Sequence, residues 1–312
     1  MSRLPALAML LVVAGVLAGL PFLLSAYHIS LAARVGIFFI GVLGLNILTG
    51  YTGQISIGHG AFMLIGGYTT AVLSRDHDTN LVVTMFAAFA ICFVLGVLLG
   101  LPALRLSGVY LALATFALAI SVPQLPLKWS KFLGGRDGVQ TSPSRTLSHV
   151  WLYGAAWTAS AVLFGLAWLI LRGRIGRAFR AVRDSEIAAV ASGIELPVYK
   201  TLAFGISAAY AGVAGSLFVL ATNGFAAPDE FGVVLSLQLL IGAAVAGLGS
   251  LWGILAGAAF VGLLPTVSSS VPVIGSSHGR DVVFGAAVIL VMLLLPDGFA
   301  GLLARVRRLA RA

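Results

Sequence analysis

Between Glu230 and Arg280 the chain carries 49 consecutive residues without an Asp, Glu, Lys or Arg, and similar charge-free windows recur along its length. As one straight helix that window would run roughly 74 Å at ~1.5 Å per residue, whereas a bilayer core is only ~30 Å thick, so it has to turn back and cross twice. A chain of such windows folds as an all-α polytopic transmembrane bundle. With 60% hydrophobic and 9% charged residues, it leaves no stretch for a separate soluble domain.

The windows predict ten spans: Leu4 to Ala26, Val35 to Leu48, Ile55 to Leu73, Leu81 to Leu101, Val109 to Leu127, Trp151 to Leu171, Leu202 to Thr222, Val233 to Leu248, Trp252 to Val271 and Val282 to Leu295. Three are short for a helix of ~20 residues, so the expected count is eight to ten, with at least one span broken or continued into polar neighbours. The first is kept as a span because its apolar stretch exceeds a signal-peptide core of ~7–15 residues and no small-x-small cleavage site follows. As drawn, the span interiors contain no Asp, Glu, Lys or Arg, which argues against proton or voltage coupling.

The net charge of +9 resides in connections and the tail, where it reports orientation rather than nucleic-acid binding. Placing residues 172–200 and the basic tail, residues 298–312, in the cytoplasm puts both termini there. That topology leaves 12 basic residues inside and 7 outside. The loop holding Lys128, Lys131, Arg136 and Arg145 falls outside, against the positive-inside trend.

Function classes narrow by absence. The lone Cys92 excludes an intrachain disulfide and any multi-cysteine metal site. None of the three lysines follows a glycine, so no Walker A loop exists, and the five scattered histidines form no His-Glu-x-x-His pair. Neither an enzyme nor a cofactor is indicated. Gly15-x-x-x-Gly19, Gly96-x-x-x-Gly100 and Gly253-x-x-x-Gly257 fit close helix packing. The segment Gly50-Tyr-Thr-Gly-Gln-Ile-Ser-Ile-Gly-His-Gly60 sets Gln54, Ser56 and His59 among glycines that break helices. Two readings stand: a broken backbone along a translocation route, or a hairpin with His59 capping a helix.

Residues 178–191 are alanine-rich and predict one helix. Arg177, Arg180 and Asp184 share a face of it, with Arg183 and Glu186 nearby and Ile187, Val190 and Ile194 on the apolar side. A basic amphipathic helix also suits an anchor on anionic membrane lipid.

This loop resembles the cytoplasmic coupling loop of ABC importer permeases, with Glu186-Ile-Ala-Ala and Gly193 at the family's Glu-Ala-Ala and glycine. Gly50 to Phe62, Gly66-Gly-Tyr-Thr69, Gly134-Gly-Arg-Asp-Gly138, Arg177-Ala-x-x-Ala-Val-Arg-Asp-x-Glu186, Tyr199-Lys-x-Leu-Ala-Phe204 and Gly247-Leu-Gly-Ser-Leu-Trp-Gly253 together resemble the branched-chain amino-acid branch of that family. The loop departs from the general pattern in placing Ile194-x-Leu-Pro197 directly after Gly193. The resemblance implies a single inner-membrane permease domain over residues 1–312, a second related permease subunit, two cytoplasmic ATPase subunits and a periplasmic substrate-binding protein. It implies branched-chain or other small amino acids as substrate, with urea or short amides as a variant within the family. A passive channel for small neutral solutes is the reading from another class.

Overall fold

The computed structural model describes residues 24–269 apart from 78, 105, 107 and 143–147, together with residue 19 and scattered positions between 285 and 302. The long helices are α1 (Ala26–Leu45), α2 (His59–His77), α3 (Leu81–Ala103), α4 (Val109–Ser121), α5 (His149–Arg172), α6 (Arg174–Asp184), α7 (Glu186–Ala191), α8 (Leu196–Ala221), α9 (Val233–Ala246) and α10 (Ile254–Ser269). Among the described residues six stretches are long and apolar enough to cross a membrane: Ala26–Gly50, Leu81–Pro102, Val109–Lys128, His149–Arg172, Leu196–Ala221 and Pro228–Ala246. Ile254–Thr266 is a shorter apolar helix. The expected first and last spans and the basic tail fall largely outside the described residues.

Two helices form the centre. α8 packs on α3, α2 and α1, and α1 packs in addition on α5, α9 and α10. α8 can be surrounded because it is built from small residues, Gly205, Ser207, Ala208, Ala209, Ala211, Gly212, Ala214, Gly215 and Ser216, all buried. A Cβ on Gly66 of α2 would run into the Gly212 carbonyl oxygen, and one on Gly215 into the Met63 carbonyl oxygen. On the other flank, Gly96 and Gly100 of α3 lie against Gly205, Ala208 and Thr201. Gly253 and Gly257 sit on the Ala246 and Gly242 carbonyls of α9. These two glycine motifs therefore act in packing; Gly15 lies outside the described residues.

In lipid, apolar surface gains little from contact with another helix, so close packing and interhelical hydrogen bonds supply the cohesion. Tyr210 Oη donates to the Leu163 carbonyl (2.7 Å), Ser160 Oγ to that of Gly36 (2.9 Å), and Thr70 Oγ1 meets Ser216 Oγ (2.6 Å). Such bonds average only ~0.6 kcal/mol each, so the glycine contacts along α8 are the larger constraint.

α8 begins beside α6 and α7 and ends at β2 (Phe225–Ala226), which pairs antiparallel with β1 (Val139–Gln140). The loop bearing Lys128, Lys131 and Arg136 thus lies at the opposite end of the bundle from residues 172–200, as the topology drawn from the charges requires.

Three expectations need correction. The short span at Val35 extends back to Ala26, so Arg34 lies inside a span, because a long arginine side chain is accommodated by its neighbours rather than ending the helix. The span at Ile55 starts as helix only at His59. Residues 178–191 are not one helix: Ser185, at φ −164° and ψ 115°, separates α6 from α7 and accepts a hydrogen bond from Ala188 N (3.3 Å). N-capping by serine overrides the alanine propensity there.

Candidate functional site

α1 does not simply stop. Its last turn widens into a π turn, Asn46–Gly50, and the chain then runs non-helically from Gly53 to Gly58 before α2 begins. α2 starts partway along the bundle, since His59 lies against Ser207, about three helical turns into α8 at ~3.6 residues per turn. Irregular backbone at that depth needs a partner for each polar group.

Side chains from three other elements supply several of them. Thr115 of α4 accepts from Ile57 N (2.9 Å), and Ser236 of α9 accepts from Gly60 N (2.8 Å). Within the break, Gln54 N donates to the Leu48 carbonyl (3.3 Å), Thr49 Oγ1 to that of Gln54 (3.1 Å), and Gly58 N to Ser56 Oγ (3.3 Å). Arg183 of α6 donates from Nη1 to the Gly50 carbonyl (3.2 Å).

Of the residues singled out in sequence, Gln54, Ser56 and His59 are all buried and point inward to this network. Gln54 Nε2 donates to Thr52 Oγ1 (3.0 Å). His59 is held at both nitrogens, Nδ1 against Ser56 Oγ (3.3 Å) and Nε2 against Ser207 Oγ (2.6 Å). Ser207 donates its single proton to the Gly44 carbonyl (2.6 Å), so Nε2 carries the proton it gives to Ser207. The imidazole therefore ties α1, α2 and α8 together at one level. Gly53 and Ile55, by contrast, lie exposed, Ile55 at 42%.

Arg183 of the 172–200 loop reaches the break. Arg183 packs its stem on Gly53, where an added Cβ would stand 3.3 Å from Arg183 Cγ, and its guanidinium beside Gly249. It also pairs with Asp184 (2.9 Å). Asn46 completes the junction: Nδ2 donates to the Ser250 carbonyl (2.8 Å) and Oδ1 accepts from Gly249 N (2.9 Å). α6, the end of α1 and the turn before α10 thus meet around Gly50.

The remaining loop residues divide by role. Glu186 pairs with Lys200 (2.7 Å), whose side chain is only 8% exposed, which binds α7 to the start of α8. Arg180 donates to the Leu171 carbonyl (3.1 Å) and holds the α5–α6 corner. Arg177 and Asp184 are exposed. Gly193, at φ +79°, ends α7: Ile194 N reaches the Ala189 carbonyl (3.0 Å) and Gly193 N that of Val190 (2.9 Å), a Schellman closure that needs a left-handed residue. Ile187 is 85% exposed and Val190 55%, leaving an uncovered apolar face on α7.

Asn46, Thr115, Ser207 and Ser236 are not marked by any sequence motif, and Lys200 is marked only as part of Tyr199-Lys-x-Leu-Ala-Phe204. Serine and threonine are ordinary in membrane helices and gave no signal; Asn46, an amide inside an apolar run, was the one detectable clue.

The family model described as "Branched-chain amino acid transport system / permease component" matches residues 27–294. The chain is 30% identical over 307 residues to the high-affinity branched-chain amino acid transport system permease protein LivM of Escherichia coli (strain K12), covering 89% of this chain and 71% of that protein. To the LivH protein of the same system and strain it is 26% identical over 287 residues, 83% of this chain and 89% of LivH. To the BraD protein of Pseudomonas aeruginosa it is 32% identical over 140 residues, 45% of this chain and 44% of BraD. No solved structure matches.

Proposed function

The chain belongs to the branched-chain amino acid transport system permease family, and from that premise we propose that it is the membrane-spanning subunit of an ABC importer for branched-chain amino acids. The family match over residues 27–294 carries this reading. Its partners are a second, related permease, two cytoplasmic ATPases and a periplasmic binding protein, all in or at the bacterial inner membrane.

In this reading α6 and α7 form the cytoplasmic docking element. The exposed apolar face of Ile187 and Val190, with Arg177 and Asp184 beside it, receives the ATPase. Arg183 and Glu186, themselves exposed, each bond a group on the bundle and pass the movement on: Glu186 through Lys200 to α8, and Arg183 through Gly50 to α1 and the break. ATP-driven closure of the ATPases then shifts a packed pair of helices as a body rather than bending them one by one.

The break flanks the route, with Gly53 and Ile55 toward the pathway and Gln54, Ser56 and His59 holding it from behind. A cysteine at Ile55 is expected to react with a membrane-impermeant maleimide at a rate that changes when nucleotide is added, whereas Ser56→Cys stays protected in the nucleotide-free state. Cys92, fully buried and hydrogen-bonded to the Phe62 carbonyl (3.4 Å), leaves the unsubstituted chain as the blank. Equal labelling at both positions would count against this placement.

The reading as a whole is tested in proteoliposomes. Assembled with the three partner types, the chain is expected to accumulate leucine, isoleucine or valine against a gradient only when ATP is supplied. Saturable equilibrative flux through the chain alone would favour a channel instead.

A further inference from the structure

A cavity of about 330 Å3 lies between α2, α3 and the chain that follows α4. It is lined on α2 from Leu64 to Leu73, on α3 by Ile91, and by side chains of residues 122–133. Its walls are hydrocarbon. Thr69 turns its hydroxyl to the Ile65 carbonyl (2.7 Å), and the Tyr68 hydroxyl is itself buried. Such a lining holds nothing to fix the two charges of an amino acid, so the cavity does not serve the substrate. It opens at the surface of the bundle, where Ile91, Leu125, Trp129 and Phe132 are exposed.

Size selects the occupant. From Leu64 to Leu73 α2 rises about 14 Å at ~1.5 Å per residue, roughly one leaflet of a ~30 Å bilayer core. A helix ~10 Å across would need about 1,100 Å3 over that length, about three times the space present. A single hydrocarbon chain is slim enough, and it is what surrounds an apolar opening on a membrane span.

The mouth adds charge to shape. The span Val109–Lys128 ends at Lys128, followed by Trp129 and then Lys131. The two lysines alternate with the lining residues Leu125, Trp129 and Phe132, are exposed, and form no ion pair among the described residues. Arg75, near the end of α2, fixes this segment in place: its Nη2 donates to the Phe132 carbonyl (3.2 Å), and Asp76 offsets its charge (2.6 Å). Lysines beside a tryptophan at the end of a span sit where phospholipid headgroups begin.

We propose that the cavity holds one acyl chain of an anionic phospholipid from the outer leaflet, with Lys128 and Lys131 on its phosphate. The leaflet follows from the orientation given above, in which this loop is outside. The site accounts for basic residues that run against the positive-inside trend: they serve a lipid rather than topology. It is independent of what the chain transports.

The test uses the complex with its partner permease and ATPases, in phosphatidylcholine nanodiscs doped with a phospholipid bearing a diazirine in its acyl chain. The doped lipid is either phosphatidylglycerol or phosphatidylcholine, and peptide mass spectrometry maps the label after illumination. With phosphatidylglycerol, labelling at Ile65, Val72 and Ile91 is expected to exceed that at the exposed residues Leu98, Val162 and Leu169 by about fivefold or more. With phosphatidylcholine the two sets are expected to match. Lys128→Gln combined with Lys131→Gln is expected to remove the excess without changing the elution of the complex, each lysine contributing roughly fivefold. Ile91→Trp, which fills the cavity from its exposed side, is expected to lower cavity labelling by both lipids. Equal labelling by both headgroups, or an excess that survives loss of the two lysines, makes this ordinary lipid contact and overturns the proposal. Unchanged labelling after Ile91→Trp overturns it as well, because the lipid then lies elsewhere. Label at the reference residues but none in the cavity means that the partner permease covers it, and the proposal falls.

Discussion

Gly215→Ala is expected to leave almost no dispersed, folded protein after detergent extraction, measured by size-exclusion chromatography and thermal unfolding. The single added carbon would run into the Met63 carbonyl oxygen of α2, which is backbone and cannot swing aside as a side chain would. Overpacking of this kind costs about 3 kcal/mol or more when the backbone must move. α8 has no slack to offer, since it is flanked by α1, α2 and α3 together. Gly165→Ala on α5 is the matched control. Nothing lies within 4 Å of a Cβ there, so the helix gains up to ~1 kcal/mol of propensity and the protein is unchanged or more stable. Similar losses at the two positions would mean that α2 and α8 are not in this contact.

Arg183→Ala is expected to abolish ATP-driven uptake, by more than about tenfold, while the ATPase still co-purifies with the permease. The reasoning is geometric: its guanidinium bonds the Gly50 carbonyl at 3.2 Å, and its stem lies on Gly53, so loss of the side chain disconnects α6 from the break. A buried carbonyl left unpaired costs ~1–3 kcal/mol in addition. Lysine is a poor substitute, because one ammonium cannot serve both Gly50 and Asp184 with the geometry of a planar fork. Arg177→Ala and Ile187→Asp are expected to show the complementary defect, lowering ATPase co-purification without changing the packing at Gly50. If Arg183→Ala instead releases the ATPase, Arg183 belongs to the docking face.

Charge-free windows and glycine content made the membrane bundle and its packing motifs legible in the sequence, because lipid imposes a rule on every residue of a span. Boundaries were less legible. The charge of Arg34 marks a span limit in the sequence, although a single arginine is tolerated where protein, here the Phe38 ring, accompanies it. The break was visible from its glycines, but the side chains that satisfy it come from α4, α6, α8 and α9, and no local pattern reveals a partner 148 residues away, as Ser207 is from His59. Glu186 and Arg183 looked like surface charges on a helix. Only the fold reveals Lys200 beneath the one and Gly50 beneath the other.

The enclosure of α8 also bears on how the chain is made. The Ser207–Gly44 hydrogen bond joins residues 163 apart, and at ~5–20 residues per second a ribosome needs roughly 8–30 s to cover that distance. For that time α1 and α2 sit in the bilayer with their small-residue and polar faces uncovered, and His59 Nε2 and the Gly50 carbonyl still await their partners. Biogenesis therefore needs something to shield the first half of the chain, an insertase or the translocon wall, until α8 arrives to fill the slot.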